Sequence, residues 1–84
     1  MHSLGIDIGK TTMHICLLTD DGKALRRKLD AGETGRVALI EWIEKKVGGP
    51  VHACMEATGG WEEATATLLH EHGHTVSVVN PRRI

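Results

Sequence analysis

Two carboxylates stand out by their surroundings. Asp7 lies in the stretch GIDIGKTT, with Ile6 and Ile8 beside it and Gly5 and Gly9 flanking them. Glu56 closes a second apolar stretch, VHACME, and is followed by ATGG. An ionised carboxylate in a strand that is apolar on both faces is costly unless it is paired, hydrogen-bonded or bound to a cation. Flanking glycines remove bulk and let a ligand or another backbone come close. Two hard oxygen ligands brought together suit Mg²⁺ or Mn²⁺. Two such ions would clamp the attacking and leaving oxygens of an in-line phosphoryl transfer. Plainer roles stand beside this one. Asp7 can be a hydrogen-bonded strand residue, and Glu56 can place negative charge near the start of a following helix. Two carboxylates do not complete a two-metal site, and no Asp or Glu follows Glu71.

Other groups carry weaker signals. Lys10 follows Gly9 and either steers phosphate or sits in solvent. Thr58, Gly59 and Gly60 precede a predicted helix, where they either cap it or offer N–H groups to a phosphate. Trp61 either packs under the sheet or stacks on a base. Arg26, Arg27 and Lys28 either meet a nucleic-acid backbone or guard an edge strand. His70, His72 and His74 look like a metal tract, but residues two apart on a helix face different directions. They are read as a solvated helix terminus. Arg82 and Arg83 close the sequence and are candidate nucleic-acid contacts.

The elements that must position these groups follow from periodicity. Residues 4–9 alternate as a strand. Met13, Ile15 and Leu17 alternate against His14 and Cys16 in a second strand over 12–18. Asp20-Asp21-Gly22-Lys23 predicts a hairpin turn, and residues 24–30 a third strand with Leu25 and Leu29 as its apolar points. Glu33-Thr34-Gly35 opens a helix whose apolar positions are Val37, Leu39, Ile40, Ile43 and Val47. Gly48-Gly49-Pro50 ends it. Val51 to Met55 reads as a strand, about 61–72 as a helix with Ala64, Leu68 and Leu69 inward, and 75–79 as a last strand. The order β-β-β-α-β-α-β predicts an α/β mixed sheet, antiparallel early and parallel later through right-handed crossovers. The first strand is expected at its centre. Asp7 and Glu56 then project near one rim, at the carboxyl ends of parallel strands, where ligands gather in such sheets.

The totals set bounds. With 84 residues, one domain is expected. A net charge of -1 gives no global electrostatic footprint for nucleic acid, although a local basic face can coexist with it. No apolar run approaches the roughly 20 residues of a membrane span, and no signal-peptide pattern opens the chain. A cytoplasmic location is expected. Cys16 and Cys54, without a CxxC pair, are read as buried reduced thiols.

The phrases GIDIGKTTMHICLL, RRKLDAGETGRVALIEWI and, above all, MEATGGW followed by HGHTVSVVNP resemble the N-terminal region of the IS110-family transposases. The likeness runs from about Gly5 to the end. It implies an RNase H-like domain of the RuvC type with an acidic Asp-Glu-Asp-Asp set, in which Asp7 and Glu56 take the first two places. The last two lie downstream of the NP segment in that family, so a partial domain is expected. That family also carries a separate C-terminal domain with a nucleophilic serine, which is expected to lie outside these 84 residues. The parent would cut and rejoin DNA in insertion-sequence transposition in a bacterium or archaeon. The implied cofactor is Mg²⁺ or Mn²⁺, and the implied partners are DNA and a noncoding guide RNA. The isolated 84 residues are expected to be inactive. DIGKTT also resembles the phosphate-binding hairpin of actin, Hsp70-type ATPases and sugar kinases, which share the same core order. A partial sheet with an open edge and face further predicts a homo-oligomer.

Overall fold

The computed structural model describes residues 1–80. Its elements are β1 (His2–Ile8), β2 (Thr12–Leu18), β3 (Ala24–Asp30), α1 (Glu33–Lys46), β4 (Val51–Glu56), α2 (Glu63–Glu71) and β5 (Thr75–Val79). They form one five-stranded sheet in the order β3-β2-β1-β4-β5. The first three strands pair antiparallel, and β1, β4 and β5 run parallel. This is the predicted mixed α/β sheet of RNase H-like order, with β1 at its centre.

Local chemistry fixes the joints. Between β2 and β3, Gly22 adopts φ 89°, and its N–H donates to Thr19 O at 3.0 Å. The Thr19 hydroxyl donates to Asp21 and accepts from Lys23 N–H. Before α1, Asp30 Oδ2 accepts from Gly32 N–H at 2.8 Å. Helix α2 ends in a paired-bond cap: His74 N–H donates to Leu69 O and Gly73 N–H to His70 O. Gly73 takes the left-handed conformation this requires, at φ 85°.

Gly35 is the tightest joint. A Cβ there would lie 1.6 Å from Asp30 O, so the first turn of α1 can sit against the end of β3 only without a side chain. Sequence reasoning took this residue for part of a helix start. The helix does start at Glu33, and Gly35 lies buried in its first turn.

The core lies on one face of the sheet. Leu4, Ile6, Ile8, Met13, Ile15, Leu17, Val51, Ala53 and Met55 meet Leu39, Trp42 and Ile43 of α1 and Leu69 of α2. Both helices therefore cover the same face. Alternation of side chains along each strand sends the other set to a face that no described element covers.

Several expectations change for that reason. Asp7 does not sit in a strand buried on both sides. Its face is open, and Asp7 is exposed. Cys16 is half-buried and Cys54 exposed, because both point to the open face; neither is a core thiol. Val37 and Ala64 face solvent, while Trp42 and Thr65 face inward. Trp61 is half exposed and does not pack under the sheet, and α2 begins two residues later than periodicity suggests. His70 and His72 are exposed as expected, but His74 is buried. Its Nδ1 accepts from Val51 N–H at 3.1 Å, tying the start of β4 to the entry of β5.

Candidate functional site

The open face carries a concavity of about 910 Å³ over β1, β2, β3 and β4. Asp7 and Glu56 both line it. The parallel ladder between β1 and β4 runs Gly5–Cys54, then Ile6–Met55, and Asp7 and Glu56 are the next residue on each strand. Neighbouring strands lie about 4.8 Å apart. Side chains two positions beyond a shared pair return to its face, so both carboxylates project to the side of Gly5 and Cys54. Both are exposed, and among the described residues neither makes an ion pair. Like charges side by side on adjacent strands cost about 0.2–1 kcal/mol. The fold tolerates that cost and leaves both groups facing solvent.

A row of polar groups leads away from Asp7. His14 is its direct partner on β2, and Lys28 is the partner of His14 on β3. The next row holds Gly5, Cys16 and Arg26. All of these residues line the concavity. His14, Arg26 and Lys28 were not assigned to the site with Asp7 from sequence, because the signal is cross-strand register rather than spacing along the chain.

The two glycines around Asp7 differ. At Gly9 a Cβ would lie 3.0 Å from Thr12 O, the atom that accepts its own N–H at 2.8 Å, so the β1–β2 turn needs the glycine. At Gly5 a Cβ would meet nothing nearer than Cys16 O at 4.0 Å. Nothing among the described residues requires that gap, and it leaves the floor beside Asp7 without a side chain at this position.

The loop after Glu56 is organised by a residue that sequence reasoning passed over. Glu62 Oε1 accepts from Thr58 N–H at 2.7 Å, Thr58 Oγ1 at 2.8 Å and Gly60 N–H at 3.1 Å. The Thr58 backbone and hydroxyl bonds, then that of Gly60, hold the Glu62 carboxyl down at about 2. The donors considered for a phosphate at Thr58 and Gly60 thus already hold an internal carboxylate. A threonine four residues before a glutamate was the available signal, one position off the usual capping-box spacing. Gly59 is exposed with φ 83°. Lys10 is exposed in the β1–β2 turn and is not among the residues lining the concavity. Arg82 and Arg83 lie outside the described residues.

Asp7 and Glu56 fit a hard cation in kind and face. Mg²⁺ commonly uses one or two carboxylates and keeps several waters. Among the described residues, no group of three or more His, Cys, Asp or Glu side chains converges on a metal position. Two carboxylates alone would supply only part of a coordination shell.

A mixed sheet of this order is that of an RNase H-like partial domain, and it carries an acidic pair at the carboxyl ends of its parallel strands. The sequence profile of the IS110-type DEDD transposases, described as Transposase, matches residues 4–84. The chain belongs to that family. A pilin gene-inverting protein of Moraxella lacunata is 32% identical over 80 residues, which cover 93% of this chain and 24% of that protein. The chain thus spans about a quarter of that relative's length. Among solved structures, two of the Aquifex aeolicus Ppx/GppA family resemble it in fold. Each is 20% identical, with TM-scores of 0.52 and 0.51, covering 99% of this chain and 36% and 37% of theirs. Among the described residues, no helix is long and apolar enough to cross a membrane.

Proposed function

We propose that Asp7 and Glu56 are the first two ligands of a divalent-metal site with which the parent transposase cuts and rejoins DNA. One observation carries this reading: the two carboxylates leave neighbouring parallel strands on the same open face and line the same concavity. In that role they would hold Mg²⁺ or Mn²⁺, which when bound offsets charge on the reacting phosphate. The chain's own part is to present two oxygens on a rigid central strand and its neighbour, beside Gly5. These 84 residues supply two of the four acidic positions implied by the family pattern, so the isolated chain binds metal weakly and does not cleave DNA. DNA, a guide RNA and further copies of the chain are the partners proposed for the parent. Val78 and Val79 on the edge strand β5 are about half exposed and suit self-association.

Calorimetric titration with Mn²⁺ tests the site. Weak binding, lost in both Asp7→Asn and Glu56→Gln, is expected. Equal affinity in the two variants and the unsubstituted chain would remove the metal reading. Mg²⁺-dependent nicking of plasmid by the 84-residue chain, absent in Asp7→Asn, would refute its inactivity. The fold likeness to the Ppx/GppA structures shows shared architecture, and family membership favours the transposase reading over the ATPase alternative.

A further inference from the structure

We infer that the β2–β3 half of the open face is a track for the phosphate backbone of a single nucleic-acid strand, with Arg26 and Lys28 as its cationic rail. The inference rests on the reading of Asp7 and Glu56 as the reacting end of that face, and it deepens that reading. Arg26 and Lys28 are alternate residues of β3, about 6.8 Å apart along the strand. That is close to the spacing of consecutive phosphates in an extended strand. Each cation occupies a cross-strand row that ends on β1: Arg26 through Cys16 to Gly5, and Lys28 through His14 to Asp7. The distance from rail to β1 is two strand spacings, roughly 9.6 Å. A single strand fits that width, and a duplex does not lie within it.

Edge-strand lysines and arginines commonly serve to block aggregation, and two features argue for more than that here. Both cations line the concavity, and among the described residues neither makes an ion pair. Gly5, between the rail and Glu56, leaves a gap that internal packing does not need. A floor of Gly5, Cys16 and His14, cations on one side and a pair of metal-suited carboxylates on the other are complementary to a phosphodiester chain entering from β3. The chain as a whole carries -1, so any such attraction must be local.

The test is fluorescence-anisotropy binding of labelled single-stranded DNA and RNA oligonucleotides, and of a DNA duplex, to this chain in EDTA at low salt. Removing metal separates the track from the metal site. Expected are single-strand binding above duplex binding, at least a tenfold loss in the double variant Arg26→Glu/Lys28→Glu, and a salt slope shallower by about 1.4 for two lost phosphate contacts. The matched control Lys45→Glu/Lys46→Glu, on α1, carries the same change in charge and should bind as the unsubstituted chain does. Equal losses in the two charge-reversed variants, no dependence on Arg26 and Lys28, or no binding by the unsubstituted chain would each overturn the track. If binding depends on Arg26 and Lys28 while Mn²⁺ binding does not depend on Asp7, the track stands and the metal reading falls. The DNA and RNA arms tell which strand it prefers. Far-UV circular dichroism of each variant guards against misfolding, and Arg26→Gln/Lys28→Gln, with a smaller loss in the same direction, is the milder second variant.

Discussion

The two faces of the sheet are built from the same strands and obey opposite rules. On the covered face every β1 and β2 position from Leu4 to Leu17 is aliphatic or Met and almost wholly buried. There, shape decides: two helices must reach the strands, and Gly35 shows how closely. On the open face the same strands carry Gly5, Asp7, His14 and Cys16, and nothing in the described chain packs against them. One face thus carries the core, and the other carries the candidate site. Substitutions should separate cleanly along that division.

The largest effect is expected on the covered face. Gly35→Ala puts a carbon within bonding distance of the Asp30 carbonyl, so α1 must shift from β3. Overpacking of this severity costs about 3 kcal/mol or more, a large part of what a small domain has. Urea denaturation should show a lowered midpoint or no cooperative transition. Leu69→Ala, at a fully buried α2 position, should cost about 2–5 kcal/mol by the same measurement. A variant at either position with unchanged stability would break the division.

Next come two groups that make stability depend on pH. The Glu62 carboxyl lies below its ordinary 4.5, at about 2, because three donors hold the ionised form. Its contribution is full above 4.5 and is lost as pH falls toward 2. Burial, then the neighbouring His72, lowers His74, so the neutral ring is favoured in the fold. That contribution is present above the ordinary 6.5 and declines as pH falls below it. Thermal melts should therefore weaken in two stages on acidification. Glu62→Gln should lower stability at pH 7 and flatten the lower stage.

The smallest effects on stability belong to the open face. Gly5→Ala should leave the unfolding free energy from urea denaturation unchanged within about 1 kcal/mol, or raise it, since alanine restricts the unfolded chain and meets no close atom. Asp7→Asn should raise stability slightly, by about 0.2–1 kcal/mol, by relieving repulsion from Glu56. A large destabilisation by either would mean that this face also holds the fold together.

Much of the fold was legible in the sequence because alternation and helical spacing are local. The Asp21-Gly22 turn, all five strands and both helices follow from neighbouring residues alone. What was not legible depends on the far side of the sheet. Periodicity groups Cys16 with His14 and Cys54 with Glu56, but it does not say which group the helices cover. The two thiols were therefore placed inside and Asp7 was thought enclosed. Trp61 follows the same logic: its helix starts at Glu63, and the loop turns it outward. At the site, Asp7 and Glu56 could be picked out by residue type. His14, Lys28 and Arg26 could not, since only the register β3-β2-β1 puts them in line with the acids. Glu62 was hidden because its partners lie behind it, in a loop that reads as an anion site until the internal carboxylate is seen.

The central claim is that Asp7 and Glu56 share one cation on the open face. Amide NMR spectra of the 84-residue chain, recorded with increasing Mn²⁺, test it most directly. Selective broadening is expected, centred on Gly5–Ile8 and Cys54–Ala57, absent from α1 and α2, and abolished in Asp7→Asn. Broadening spread over the glutamates of the helices, or unchanged in that variant, would contradict it.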